Sequence, residues 1–596
     1  MRKFTALMLA AILTLTLASC MPGSMNKQQT PAATQTTAAA PKAQAATQAD
    51  AKTATQAATQ AAQTATQAAA PKAASEPGPY GKFNPPITIS TIRSIDTTRE
   101  YMPGETWDNN IWTKAYEEKL GIKFTYTWTC MSNEFSERLN TAIASDDLPD
   151  YMNIPYDQFA LLARSGRLEP ITAAFNEYAL PELKTAMEKF DGLATTQASF
   201  DGQLYGIVSA PSMEPHMLWY RNDWAEAVGK GKPATFEDVL NMAVDFATKN
   251  PNGDGTPTVG FGVDKDLFDG GMGLDGFFSA YGTYPRQWVE VNGQLQYGFL
   301  QADKLKAPLQ KLQELYKNGV IDQDFLNKGT WDTAPDDIVK GKIGMVMGPI
   351  WFGDWKCAAL LEAVGNNKAT WTVMPIPSLS GGPVNRPPVG IKPSAAVCVS
   401  TGFKYPEAAV KIVNLSRGLL NGDIAEGKYH DQPNPNDPTK VVNNFFHSLA
   451  MDVGNGDVSW NYVCALAVTD ALKTGDTSKL NAEQKSYYDR CKGWVDGTSL
   501  AGYTSYSIFG PGGSQFVGEE IRQKGLFYAD PYYGASTEAM NNNIGNINSK
   551  RDEIITKIIM GGDIDAGLKD FADYWSASEG DVITKDVNDW YAGMKK

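Results

Sequence analysis

From residue 87 to 155 the spacing of apolar positions switches between two and about 3.6 residues. "ITIST" (87–91) alternates as a short strand does. "IWTKAYEEKLG" (111–121) gathers its apolar residues on one helical face and stops at Gly121, and "IKFTYTWT" (122–129) alternates again. "FSERLNTAIASDDLPDYMNIP" predicts a helix that ends before Pro149, followed by a third strand. The resulting β-α-β-α-β order predicts a parallel sheet with helices on both faces.

Farther along, "TFEDVLNMAVDFATKN" opens with Thr235 three residues ahead of Asp238, a capping-box pair, and continues with helical spacing. "IGMVM" (343–347) and "WTVMPIP" (371–377) are unbroken apolar runs, the pattern of strands covered on both faces. "KYPEAAVKIVNLSRG" (404–418) predicts a helix with Pro406 in its first turn and Gly418 as its stop. Near the end, "EIITKIIMGG" and "GLKDFADYWSAS" read as separate helices. With 596 residues, a chain of alternating strands and helices is too long for one core, which predicts an α/β fold of two lobes.

The N-terminus follows other rules. Arg2 and Lys3 precede a nearly unbroken apolar run, Phe4 to Leu17, and Ala18-Ser19 lead to Cys20, the pattern of a secretory signal segment (1–19) too short to span a bilayer. Leu17-Ala18-Ser19-Cys20 resembles the lipobox of bacterial lipoproteins, which implies acylation at Cys20; a cleaved signal with an incidental cysteine is the alternative. Two acyl chains suffice for stable anchoring. Residues 22 to 79 repeat AATQ-like units with four lysines, two acids and no aromatic. Residues 20–82 are therefore expected to be a disordered leash averaging about 40 Å end to end.

Formal charge is −14, and loss of Arg2 and Lys3 with the signal lowers it by two, to −16. Together with the absence of a Lys/Arg cluster, this argues against nucleic-acid binding. Five cysteines remain after Cys20, at 130, 357, 398, 464 and 491, without C-x-x-C spacing. They read as small buried hydrophobes with at most a disulfide among them.

"SDDLPDYMNI", "RSGRLEPIT", "FDGQLYGIVSAP", "LWYRNDWAEAVG", "LQELYKNGVIDQDF", "IVKGKIGMVMGPIW" and "YPEAAVKIVN" follow one another in that order. Together they resemble the extracellular solute-binding lipoproteins of ABC importers, of the LplA-like carbohydrate-binding type with a maltose-binding-protein-like fold. Val208 departs from the usual Pro. The resemblance implies a two-lobed periplasmic-binding-protein-like (type II) fold. One lobe would span 84–209 with a return at about 390–525, the other about 213–385, and helices over about 536–596 would pack across both. Crossovers would lie near Ser209–Ser212, Arg386–Lys392 and Phe527–Ala535, and Gly and Pro in such segments suit a hinge.

A sugar site needs flat aromatics for C–H faces and planar polar groups for hydroxyl edges. In "GPIWFGDW", Trp351 follows an apolar strand, where open α/β sheets carry their ligand loops, and the family likeness implies that it stacks on ligand. Trp355 and Asp354 follow as companions. Trp219 and Arg221 flank the first crossing, with an Arg221–Asp223 salt bridge as the structural alternative. Tyr156, Asp96 and Arg99 follow strands and would face the cleft. Tyr281 and Trp288 would cover ligand, with a satellite core under a long loop as the alternative. Trp107 and Tyr503 are weaker candidates.

"NPNGDGTPTVGF" places Asn250, Asn252, Asp254 and Thr256 at alternate positions with Gly255 sixth, the oxygen spacing of a calcium loop. Thr258, Val259 and Phe261 stand where further acids are needed, so a tight turn is the preferred reading and no cofactor is required. The three histidines, 216, 430 and 447, form no H-E-x-x-H, and neither G-x-S-x-G nor a P-loop occurs; "GMGLDG" (271–276) follows no strand. A secreted glycan-degrading enzyme stays open because paired carboxylates abound. The expected protein is no enzyme but a lipid-anchored monomer on the outer face of the cell membrane that carries an oligosaccharide to a permease, with a peptide or small charged nutrient as the alternative cargo.

Overall fold

A computed structural model of the chain describes residues 74–594 except 98, 210, 212, 269–270, 330–333, 355, 366, 381–387, 451–452 and 454–458. The signal segment, Cys20, most of the Ala/Thr/Gln-rich stretch, Trp355, Ser212 and Arg386 lie outside the described residues.

The opening β-α-β-α-β pattern builds the centre of a five-stranded sheet. Ile87–Ile95 runs parallel to Ile122–Met131 on one side and to Tyr151–Pro155 on the other, as a βαβ crossover requires. The intervening helix begins at Ile111 behind an Asn110 capping box, widens into a π-turn over Tyr116–Leu120 and stops at Gly121, whose φ of 67° favours glycine. The next strand in the sheet, Ala395–Val399, comes from far along the chain and inserts antiparallel between Tyr151–Pro155 and Gly206–Val208, so the sheet is mixed. All five of its side chains are buried.

The second sheet has Met217–Arg221 at its centre, antiparallel to both Met345–Gly348 and Trp371–Met374. Its apolar runs serve two cores. Leu218, Met345 and Met347 face one with the Phe236–Thr248 helix, while Met217, Trp219 and Val346 face the other. Burial on both faces, rather than parallel pairing, is what the continuous apolar pattern recorded. The capping box of Thr235 and Asp238 forms as expected.

Four placements differ from expectation. Gly418 does not stop its helix, which continues over Glu407–Asn421; its missing Cβ instead admits the Tyr80 hydroxyl. Residues from Ala74 onward already belong to the folded body: Ala74–Ser75 pairs with Phe83–Asn84, and the buried Lys411 ammonium donates to the carbonyls of Glu76 and Gly81, both at 2.9 Å. The helices Gly502–Phe509 and Ser514–Gln523, expected on the first lobe, pack on the second sheet, where the Tyr503 hydroxyl bonds the backbone of Trp371 and Ser514 Oγ donates to the Ile350 carbonyl. The C-terminal helices Glu538–Ile559, Ile564–Ala577 and Gly580–Met594 pack into the core of the second sheet through Ile554, Phe571, Trp575 and Val587.

The chain passes between the sheets three times, and the passages lie side by side. Met213 N–H donates to the Gly390 carbonyl, and Pro388–Val389 pairs in parallel with Tyr528–Ala529. Met213, Val389 and Ile391 form a small core there with Phe527 and Tyr533. Cys130, Cys357, Cys398, Cys464 and Cys491 are buried and free, with no disulfide among them. Among the described residues no helix is long and apolar enough to cross a membrane.

Candidate functional site

A cavity of about 560 Å³ has walls from distant parts of the chain. One wall is the turn after Met345–Gly348. Phe352 anchors it by packing on Trp219 and Trp371, ring centroids 5.2 and 5.0 Å apart, which leaves Trp351 half-buried and Asp354 exposed at the cavity. Trp351 Nε1–H donates to Glu214 Oε1 at 3.1 Å, tying the indole to the first passage between the sheets.

The second wall is the helix Ala482–Val495, where Glu483, Tyr487 and Arg490 recur at helical spacing on one face. Tyr487 stacks on Phe509 at 3.9 Å and donates to Glu483 Oε1 at 3.0 Å; Trp460 Nε1–H takes Glu483 Oε2 at 2.8 Å. The Arg490 guanidinium lies 5.2 Å from the Tyr487 ring centre. The third wall comes from Asp431–Asn434 and Asp437–Asn443 and the turn after them: Asn443 Nδ2 donates to Asp431 Oδ1 at 2.7 Å, beside Phe445 and Phe446. Desolvation pushes the Asp354 carboxyl up to about 6, with Asp431 adding to the shift and Arg490 opposing it. Burial likewise raises Glu214.

A second cavity, about 320 Å³, sits beyond the ends of Ile87–Ile95 and Tyr151–Pro155. It holds the Asp96–Arg99 ion pair at 3.3 Å. Arg99 stacks its guanidinium on Phe446 at 4.2 Å, and Tyr101 stacks on His447 at 4.2 Å. The exposed ring of Phe446 lines both cavities, with Trp351 and Asp354 in the larger and Asp96 and Arg99 in the smaller.

The other candidates are elsewhere. Trp219 is fully buried with its Nε1–H on the Pro349 carbonyl. Arg221 is buried and pairs with Asp223 through two bonds of 2.8 and 2.6 Å, the salt bridge that competed with a ligand role. Tyr156 is buried and donates to the Gln197 carbonyl. Tyr281 packs on Phe236 and Phe277, and Trp288 on Tyr297, Tyr532 and Trp575, so both serve the main core of the second sheet rather than a small separate one. Tyr503 is fixed to the backbone of Trp371, and Trp107 packs on Tyr126. A position just after a strand places a residue near a sheet edge, but side-chain direction decides between cleft and core.

In the 250–256 turn the side-chain oxygens of Asn250, Asn252 and Asp254 already accept from N–H groups. Asn252 Oδ1 accepts from Trp224 Nε1–H at 2.8 Å while its Nδ2 donates to the Gly341 carbonyl, Asn250 Oδ1 accepts from Gly255 N–H, and Asp254 Oδ1 from Thr256 N–H. Thr258 Oγ1 is committed to the Phe246 carbonyl. With one carboxylate in the set, the turn does not fit a calcium ion, which takes six to eight oxygens. Among the described residues no group of three or more His, Cys, Asp or Glu side chains is arranged to hold a metal.

Glu483, Tyr487, Arg490, Asp431, Asn443, Phe446 and Phe509 escaped sequence reading. The spacing of Tyr487 and Arg490 on a polar helix is a weak signal for a shared face; their approach to Trp351 has none.

The chain is 24% identical to Lipoprotein LipO of Bacillus subtilis (strain 168) over 498 residues, 81% of this chain and 89% of that protein. It is 26% identical over 243 residues to the polygalacturonan/rhamnogalacturonan-binding protein YtcQ of the same organism, covering 39% of this chain and 46% of that one. In fold it is similar to the Streptococcus pneumoniae ABC-transporter substrate-binding protein FusA in complex with kestose, with a TM-score of 0.55 at 15% identity over 85% of this chain and 99% of that one. The family model for bacterial extracellular solute-binding proteins matches residues 112–418, and the chain belongs to that family.

Proposed function

We propose that this protein captures an oligosaccharide outside the cell and delivers it to the permease of an ABC importer. The observation that carries this is the composition of the larger cavity. Trp351, Tyr487 and Phe446 offer ring faces, and Asp354, Asp431, Asn443 and Arg490 offer the planar polar edges that hydroxyl recognition needs. The naming of relatives for polygalacturonan, rhamnogalacturonan and kestose supports a carbohydrate cargo. The first lobe is read as 74–209 with a return from 390 to about 450, and the second as 213–385 with the helices that follow Trp460. Capture is lobe closure about the three adjacent passages, which absorb the backbone change. The protein acts as a monomer held to the outer face of the cell membrane by lipid at Cys20, requires no metal at the 250–256 turn, and turns nothing over.

Titration calorimetry of the purified chain against panels of oligosaccharides and peptides tests the assignment. Saturable binding of a saccharide without release of new reducing ends is the expected result. Binding of peptides alone, or turnover of the bound glycan, refutes it. Mass spectrometry of the membrane-associated form is expected to find the lipid on Cys20, and Cys20→Ala to release the protein from the membrane.

A further inference from the structure

We infer that the cavity selects a neutral oligosaccharide and rejects uronic-acid chains; this rests on the carbohydrate reading and narrows it. Three carboxylates, Asp354, Asp431 and Glu483, line the 560 Å³ cavity against one guanidinium, Arg490. Glu483 is already engaged at both oxygens by Trp460 and Tyr487, so it shapes the wall. Asp354 is different: among the described residues its carboxylate makes no hydrogen bond, and the Asp431 carboxylate accepts from Asn443 alone. The ligand is therefore asked for donors at two places. Hydroxyls supply them and can still accept from Arg490. A uronate at either place sets acceptor against acceptor and charge against like charge inside a partly desolvated space, where repulsion is stronger than in water.

The adjoining cavity does not offset this. Arg93 already donates to the carbonyls of Trp107 and His447, at 3.0 Å each, and Arg99 is paired with Asp96 and stacked on Phe446. Arg490 is thus the guanidinium that the larger cavity offers to a hydroxyl pair, with its Nε–H on the Ser486 carbonyl at 3.4 Å and the Tyr487 ring beneath it. The net charge of −14 adds a long-range field that disfavours polyanions on approach.

The test uses oligosaccharide pairs matched in linkage and length that differ only in CH₂OH or carboxylate at C6, in gluco, galacto and manno series, titrated into the wild-type chain and into Asp354→Asn/Asp431→Asn. The neutral member of the pair that binds is expected to bind at least tenfold more tightly. In the double variant, checked by its melting temperature to be folded, that ratio is expected to fall below threefold because uronate binding improves. Equal or tighter uronate binding by the wild type overturns the inference while leaving the carbohydrate reading intact, as does an unchanged ratio in the variant. Binding of neither member in any series removes the carbohydrate reading and the inference with it.

Discussion

Trp351→Ala tests the site most directly. The indole is half-buried, with its N–H held by Glu214 and its ring beside Phe509 at 6.2 Å, so one face remains for ligand. If a sugar ring covers roughly a third of the ~200 Å² that such a side chain can bury, about 70 Å² of apolar surface leaves water. At ~25 cal/mol/Å² that contributes about 1.7 kcal/mol, and a stacking increment of about 1 kcal/mol brings the loss to nearly 3 kcal/mol, a weakening on the order of 100-fold. Trp351→Phe keeps most of the face and loses only the donor to Glu214, so it is expected to weaken binding by about tenfold or less. Calorimetry with the captured saccharide, well below the melting temperature of each variant, reads both effects. An alanine variant that is folded and binds within twofold of wild type refutes stacking on Trp351 and with it the placement of the ligand in the larger cavity.

Three further outcomes follow from other parts of the fold. His447 is 1% exposed, and burial, reinforced by Arg93, pulls its imidazole down to about 4. Between pH 6.5 and 4 the unfolded chain therefore binds the extra proton, and urea unfolding is expected to show about 2.5 kcal/mol less stability at pH 4.5 than at pH 7 from this residue. His447→Asn should flatten that part of the profile, and an unchanged acid slope would count against it. Lys411→Met removes the donor to Glu76 and Gly81 together with a charge lying 4.5 Å from the Tyr178 ring; a loss of about 2–4 kcal/mol and protease cleavage within 74–84 are expected. Equal protection of that segment would show that Lys411 does not hold it. Chelation by EDTA is expected to move the melting temperature by no more than ~1 °C, since a site occupied at many times its Kd would shift it further; a larger fall would mean that the 250–256 turn rearranges around calcium.

Local patterns in the chain were read correctly where the physics is local. The capping box of Thr235 and Asp238, the left-handed stop at Gly121 and the breaks between the C-terminal helices depend on residues within a turn of one another. Apolar runs at 343–347 and 371–377 announced strands covered on both faces, because alternation disappears when two cores compete for one strand. Pattern alone cannot say which strand lies alongside. Ala395–Val399 enters the first sheet antiparallel, and Gly418, placed like a helix stop, serves instead as room for Tyr80.

The site depended still more on contacts between distant segments. Trp219, within the central strand of the second sheet, and Trp351, just after its neighbour, carry the same side chain, yet one points into a core behind Phe352 and the other is held at a cavity by Glu214. The residues facing Trp351 come from a helix and a hairpin far from it in sequence; the helix reaches it by packing on Phe509, whose own helix Tyr503 docks on the second sheet. Periodicity records that a face is buried, and composition records that aromatics and carboxylates are plentiful. Which of them share a cavity depends on packing between segments with no fixed sequence separation, and that is a property of the folded chain as a whole.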